Sequence, residues 1–295
     1  MSNPNITSKT SNTHRPDGRK GGASLRPLAC EVSCLNRPDG SAQFTSGSTQ
    51  VLAAVYGPAA PRQISKEHPH QAILAIVFKQ SYHGGDHTSS GSSGSSGNGG
   101  NNNSKRKGGG GVHMMTEREM EKFIGEALSA CVCLEMYPRC VIEIVIQVMK
   151  ADGSVIGTAL NAAVVALLDA GIQMTSIPIA TTCLLDWNTA ASVTNDNDND
   201  DDLKSSSSQL LKLDPVAEEE LSDNCSVIVL VTDSVQSQQK EDDGIISSIT
   251  LGTFTPDSYL SCITAASKAS QAVLAFMRLA IEQKCIRESQ TLWSN

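Results

Sequence analysis

Apolar and polar positions change their period several times along this chain. Residues 51–55, Val-Leu-Ala-Ala-Val, and residues 72–78, Ala-Ile-Leu-Ala-Ile-Val-Phe, are short apolar runs bounded by turn residues. Such runs suit strands buried in a sheet. Val141-Ile-Glu-Ile-Val-Ile-Gln-Val-Met149 is a longer strand pattern, and residues 177–186 and 225–232 are two more. Between them the period lengthens. Met120, Phe123, Ile124, Ala127, Leu128, Cys131 and Leu134 recur at helical spacing, which predicts a helix over 116–135. Thr116 with Glu119 has the spacing of a capping box, and Pro138 ends the segment. Residues 155–170 are Ala-, Val- and Leu-rich on every side, as in a buried helix, with Gly171 placed to cap it. Residues 244–255 read as a hairpin-like stretch and 256–287 as a terminal helix. Strands and helices alternate, which predicts one α/β or α+β domain.

Two stretches interrupt the pattern. Residues 82–111 are Gly, Ser and Asn, ending near Lys105-Arg-Lys107, and residues 192–208 are rich in Asp, Asn and Ser. Neither carries enough apolar surface to offset the entropy of ordering it. Both are expected as disordered insertions within a domain spanning 24–290. The polar residues 1–23 are expected as a flexible arm.

Composition narrows the function. With 39% apolar and 18% charged residues, the chain is ordinary for a soluble fold. A net charge of −8 argues against an autonomous, strongly basic nucleic-acid binder. Contact with RNA would then need a local patch or an assembly. No uninterrupted apolar run approaches ~18 residues, so no membrane partner is expected, and the first ten residues lack the apolar core of a secretory signal. The nine cysteines are irregularly spaced, several of them in apolar runs, which suits a reducing compartment. Cys30 with Cys34, and Cys131 with Cys133, lack a second pair at zinc spacing. His68, His70, His83, His87 and His113 lie in or beside the first insertion, without a rigid frame. No metal and no cofactor is expected.

Arg37-Pro-Asp-Gly-Ser-Ala42 supplies turn chemistry for a hairpin, and Gly47-Ser48 makes a second turn. Gly57-Pro58 is placed to stop the strand that follows. The wording of this region resembles the RNase PH family. The longer string Ser24-Leu-Arg-Pro-Leu-Ala-Cys30, Tyr56-Gly-Pro58 and Ser65-Lys-Glu67, with Leu160-Asn-Ala-Ala163 and Leu168-Asp-Ala-Gly171, is similar to the branch that supplies ring subunits of the eukaryotic RNA exosome. The resemblance implies an α+β fold, a single RNase PH-like domain of mixed β-sheets with packed helices. It implies a structural ring subunit supporting 3′-to-5′ RNA processing and degradation in nucleus, nucleolus and cytoplasm. The implied partners are other RNase PH-like ring subunits, RNA-binding cap subunits, and RNA threaded through the complex.

The resemblance also says where chemistry should be. Phosphorolytic members hold phosphate with a turn reading Ala-Asp-Gly-Gly-Thr-Arg, through a hydroxyl and a guanidinium. Here it reads Ala151-Asp-Gly-Ser-Val-Ile156, so Val155 and Ile156 replace both groups. The preceding helix is arginine-rich in such members. Here Glu117, Glu119, Glu121 and Glu126 outnumber Arg118 and Lys122, and read as a solvated face held by pairs such as Glu119–Lys122 and Lys122–Glu126. Asp214 and Glu220 have the spacing of the family's acid and metal-ligand pair, though Asp214 before Pro215 also reads as a loop leading into a helix. No catalytic, phosphate or metal residue is assigned, with Asp214 and Glu220 the candidates if chemistry survives. Arg62, Lys66 and Lys79 are the RNA-binding candidates. The competing reading is a residual phosphorolytic or metal-dependent 3′–5′ exoribonuclease, acting as a homodimer.

Overall fold

The computed structural model describes residues 15–61, 67–80, 115–187, 210–222, 225–233 and 244–293. The two expected insertions lie outside them. Strands β1 (Leu28–Val32), β2 (Gly40–Ser46), β3 (Thr49–Ala59), β4 (Ile73–Gln80) and β5 (Val141–Lys150) form a five-stranded sheet in the order β1-β2-β3-β5-β4. All neighbours are antiparallel except β4 and β5, which are parallel. A parallel pair needs a crossover, and helix α1 (Glu117–Ser129) lies within it. Strands β6 (Pro178–Asp186), β7 (Leu210–Leu213), β8 (Cys225–Asp233) and β9 (Ile245–Leu251) make an antiparallel sheet in the order β7-β6-β8-β9. Helix α2 (Val155–Asp169) packs against strands of both sheets, α3 (Ala217–Glu220) is a single turn, and α4 (Pro256–Trp293) ends the described chain.

Side-chain alternation decides which faces meet. In β5 Ile142, Ile144, Ile146 and Val148 are buried, as are Val51, Ala53 and Val55 in β3. These join α2, whose residues from Ile156 to Leu167 are all buried, in the main core. The sequence lacks a polar stripe there because this helix has no solvent side. Gly40 shows how tightly it is held: a Cβ there would lie 2.3 Å from the Ala166 carbonyl oxygen. A second, smaller core joins Cys183, Leu185, Leu213, Ile228 and Leu230 to Cys262, Ala266 and Ala269 of α4. Truncating a buried Leu such as Leu160 or Leu184 would cost about 2–5 kcal/mol.

Local details both match and differ from the sequence pattern. The capping box forms, with Glu119 N–H donating to Thr116 Oγ1 at 3.3 Å and Thr116 N–H to Glu119 Oε2 at 2.8 Å. Strand β3 does not stop at Gly57-Pro58 but continues through a register shift to Ala59. Gly57 has φ +117° and donates its N–H to Asp39 Oδ2 at 2.7 Å, so the turn aspartate stabilises the bend. Helix α4 runs to residue 293, and a window of it reaches a mean hydropathy of 1.2. It is long and apolar enough to cross a membrane, but Cys262, Ala266, Val273, Leu274 and Met277 are used in the two cores. The expectation of an arm through residue 23 is corrected from residue 15 onward. Arg15 is buried, and Gly22 O accepts the Leu213 N–H at 2.7 Å.

Candidate functional site

The candidate site lies where the α2 turn meets the segment joining β7 to α3. Gly153 has φ +74° and Ser154 φ +52°. A Cβ on Gly153 would lie 2.4 Å from Pro215 O, so only glycine lets the two backbones approach this closely. Ser154 precedes the first helical residue, and its hydroxyl donates to Thr182 Oγ1 at 2.8 Å rather than capping α2.

Asp214 is the hub of the site. Arg26 Nε donates to its Oδ2 at 2.9 Å and Arg26 Nη2 to its Oδ1 at 2.6 Å. The Arg26 backbone N–H adds 3.1 Å to Oδ2, and Ser46 Oγ donates to the same oxygen at 2.9 Å. The guanidinium also reaches Asp152 O at 2.5 Å and Gly153 O at 3.3 Å. Burial alone would raise the Asp214 carboxyl, but the Arg26 hydrogen bonds and charge outweigh it and hold it below the ordinary range. A carboxylate so saturated carries no proton to give a leaving oxygen near neutral pH. Its φ of +50° is a further sign of a position fixed by its surroundings.

Glu220 behaves differently. Its Oε1 accepts the Ser154 N–H at 2.7 Å, beside the positive end of α2. Burial pushes its carboxyl up to about 7, against the lowering effect of that bond. Thus Asp214 and Glu220 are brought to one turn, with opposite proton affinities. Val155 packs half-buried against the core and Ile156 lies within it. Neither has an atom that could ligate phosphate. The cavity lined by Ser46, Ser154, Thr158, Asn161, Thr182 and Asp214 has a volume of about 30 Å³, which suits about one water molecule.

The sequence reading missed two arginines and one glutamate. Arg15 Nη2 donates to Glu219 Oε2 at 2.6 Å and its Nε to Oε1 at 3.0 Å, with both side chains buried. Lys212 Nζ stands 3.6 Å from the same carboxylate. Burial raises the Glu219 carboxyl, and the Arg15 bonds reverse this to a net lowering. The available signal was Arg26 itself, a charged residue between Leu25 and Pro27-Leu28 with no solvent-facing period.

The acidic helix is more than a solvated face. Glu121 Oε1 accepts the Phe78 N–H at 2.9 Å and Glu117 Oε1 accepts the Gln80 N–H at 3.0 Å. These two glutamates satisfy donors along the β4 edge. Lys122 and Glu126 do pair in solvent, at 3.8 Å. Of the RNA-binding candidates, Lys79 is exposed at the end of β4 and lies 4.0 Å from Glu117. Arg62 and Lys66 lie outside the described residues. Among the described residues, no three His, Cys, Asp or Glu side chains gather to hold a metal.

Comparison with known proteins fits this geometry. Residues 24–173 match the family model RNase PH, described as the 3′ exoribonuclease family, domain 1. An exosome complex exonuclease RRP46 homolog of Arabidopsis thaliana is 30% identical over 91% of this chain and 96% of its own. The crystal structure of rice (Oryza sativa) Rrp46 superposes with a TM-score of 0.64 at 27% identity, covering 90% of this chain and 98% of that one. An Archaeoglobus fulgidus exosome with RNA bound to the active site shares the fold, with a TM-score of 0.59 at 15% identity over 89% of this chain and 92% of that one. The two-sheet fold and the family match over half the chain place this protein in the RNase PH family of 3′ exoribonucleases.

Proposed function

We propose that the chain is a non-catalytic subunit of an RNA exosome ring, supporting 3′-to-5′ RNA processing and degradation beside other RNase PH-like subunits. It would hold RNA-binding cap subunits and line the path of RNA toward a separate nuclease, in nucleus and cytoplasm. One observation carries the reading. Ile156 occupies the core where phosphorolytic relatives place an arginine, while Asp214 is consumed by Arg26 and Ser46. Phosphorolysis needs donors aimed at phosphate and an acid that holds a proton, and this turn offers neither from those positions. The names of the Arabidopsis and rice relatives support the assembly. The test has two arms. A tagged protein should co-purify with RNase PH-like chains, and the pure chain should release no nucleoside diphosphates from RNA and phosphate.

A residual 3′–5′ exoribonuclease acting as a homodimer is the second reading, and Glu220 is what favours it. A carboxyl near 7 in a buried polar turn has the proton affinity of a general acid. Phosphate-dependent or divalent-metal-dependent cleavage by the pure chain, abolished by Glu220→Gln, would establish it over the first.

A further inference from the structure

Strand β6 lies inside its sheet, between β7 and β8, and all of its residues except Asp186 are buried. Cys183 is held there in register with Leu213 on one side and Ile228 on the other. It belongs to the smaller core, which α4 closes. The α4 positions in that core are Cys262, Ala266 and Ala269, spaced i, i+4 and i+7. All three side chains are short, which lets the helix lie close to the sheet.

Cys183 and Cys262 meet there, and both are wholly buried. The Cys183 thiol donates to the Cys262 carbonyl oxygen at 3.9 Å, and the two thiols are within hydrogen-bonding reach of each other. The bond between the thiols raises Cys183 above the ordinary thiol value and lowers Cys262, so Cys262 is the readier thiolate. All nine cysteines are free thiols. Among the described residues, no third His, Cys, Asp or Glu joins this pair to make a metal site. Two short side chains on closely packed backbones are what a disulfide requires, since its Cα atoms lie about 4.4–6.8 Å apart.

We propose that Cys183 and Cys262 are a redox pair, a dithiol under reducing conditions that peroxide converts to a disulfide stapling α4 to the four-stranded sheet. The Cys262 thiolate attacks one peroxide oxygen and the O–O bond breaks. Its sulfur becomes a sulfenic acid, and the departing hydroxide takes up the proton Cys262 released, as water. The Cys183 sulfur then attacks the sulfenic sulfur. The S–O bond breaks, and the hydroxyl leaves with the Cys183 proton as a second water. Two thiols lose two electrons, and one peroxide gains them. Peroxide reaches the pair when the first turns of α4 open, and Leu260, two residues before Cys262, is 60% exposed. The bridge spans 79 positions and encloses β7, α3, β8 and β9, with Asp214 and Glu220 inside the loop. Constraining so long a loop in the unfolded chain stabilises the folded one. None of this requires a ring partner.

The experiment uses the full chain, purified in reductant, desalted and treated with a small excess of hydrogen peroxide. Mass-spectrometric peptide mapping without reduction should find Cys183 joined to Cys262, and a dithiol reductant should reverse the link. The melting temperature should rise by about 5–10 °C on oxidation and return on reduction. Cys262→Ser should abolish both the link and the rise. Cys30→Ser with Cys34→Ser should keep both, which separates this pair from the thiols near β1. Should Cys262→Ser fail to fold, the wild-type map and melting curve decide. Three results overturn the proposal: both thiols open to alkylation when the treated protein is unfolded, either one carried to a sulfinic acid without the link, or a link that leaves the melting temperature unchanged.

Discussion

Glu220→Gln should stabilise the protein at pH 8 and do little at pH 5. The unfolded carboxyl ionises near its ordinary 4.5, whereas burial beside α2 raises the folded one to about 7. Between those values the folded state binds the proton more tightly. Stability therefore falls as pH rises from the first value to the second, and levels off above it. At about 1.4 kcal/mol per unit, the loss at pH 8 is roughly 3 kcal/mol, and under about 1 kcal/mol at pH 5. Water reaching the partly exposed carboxylate would reduce the first figure to about 2 kcal/mol. Glutamine keeps an oxygen able to accept the Ser154 N–H and removes the ionisation. Urea titrations of wild type and variant at both pH values give the comparison directly through their midpoints. An equal midpoint shift at pH 5 and pH 8 would refute the reasoning, since the carboxyl would then not carry its raised proton affinity into the folded state.

Other substitutions probe the same region. Asp214→Ala leaves the buried Arg26 guanidinium without its carboxylate and should cost about 3–5 kcal/mol in chemical denaturation. The wild-type contribution of Asp214 and Glu219, both held below their ordinary ranges, should persist at neutral pH and be lost as pH falls through their folded values. An acid-denaturation midpoint moved toward neutral by Asp214→Asn is the readout. Gly153→Ala forces a positive φ and a contact with Pro215 O, so a lowered melting temperature is expected in calorimetry. Glu117→Ala with Glu121→Ala frees two edge donors, at about 1 kcal/mol each, and should promote self-association detectable by light scattering.

Much of the fold was legible because period and burial coincide. The buried helix α2 announced itself by lacking a polar face, and β5 by alternating isoleucines. Strand β7 was not legible, because four residues at the border of an Asp/Ser-rich stretch carry too little pattern, whereas α3 was foreshadowed by Asp214-Pro215 followed by acidic residues. The Asp214–Glu220 pair came from the family resemblance, but its meaning here did not. Whether an aspartate is an acid or a salt-bridge partner depends on Arg26, which is 188 positions away along the chain. The glutamates of α1 looked solvated because a helix face shows its charge but not the strand edge across from it. Arg15 was read into a flexible arm because its partner, Glu219, lies 204 positions downstream.

Those same separations set the order in which the molecule can be assembled. The Arg15–Glu219 and Arg26–Asp214 ion pairs close the longest loops held by side chain to side chain contact in the site. Closing a loop costs entropy that grows only logarithmically with length, so the spans are tolerable at equilibrium. On a ribosome the constraint is temporal. At about 5–20 residues per second, the leading arginines wait about 10–40 s for their carboxylates to be synthesised. The hairpins β1–β2 and β2–β3 can form in that interval with Arg26 still solvated. The segment carrying Arg15 and Arg26 is thus among the last to be locked, and any partner that reads the finished surface near Asp214 meets a chain whose synthesis has passed residue 219.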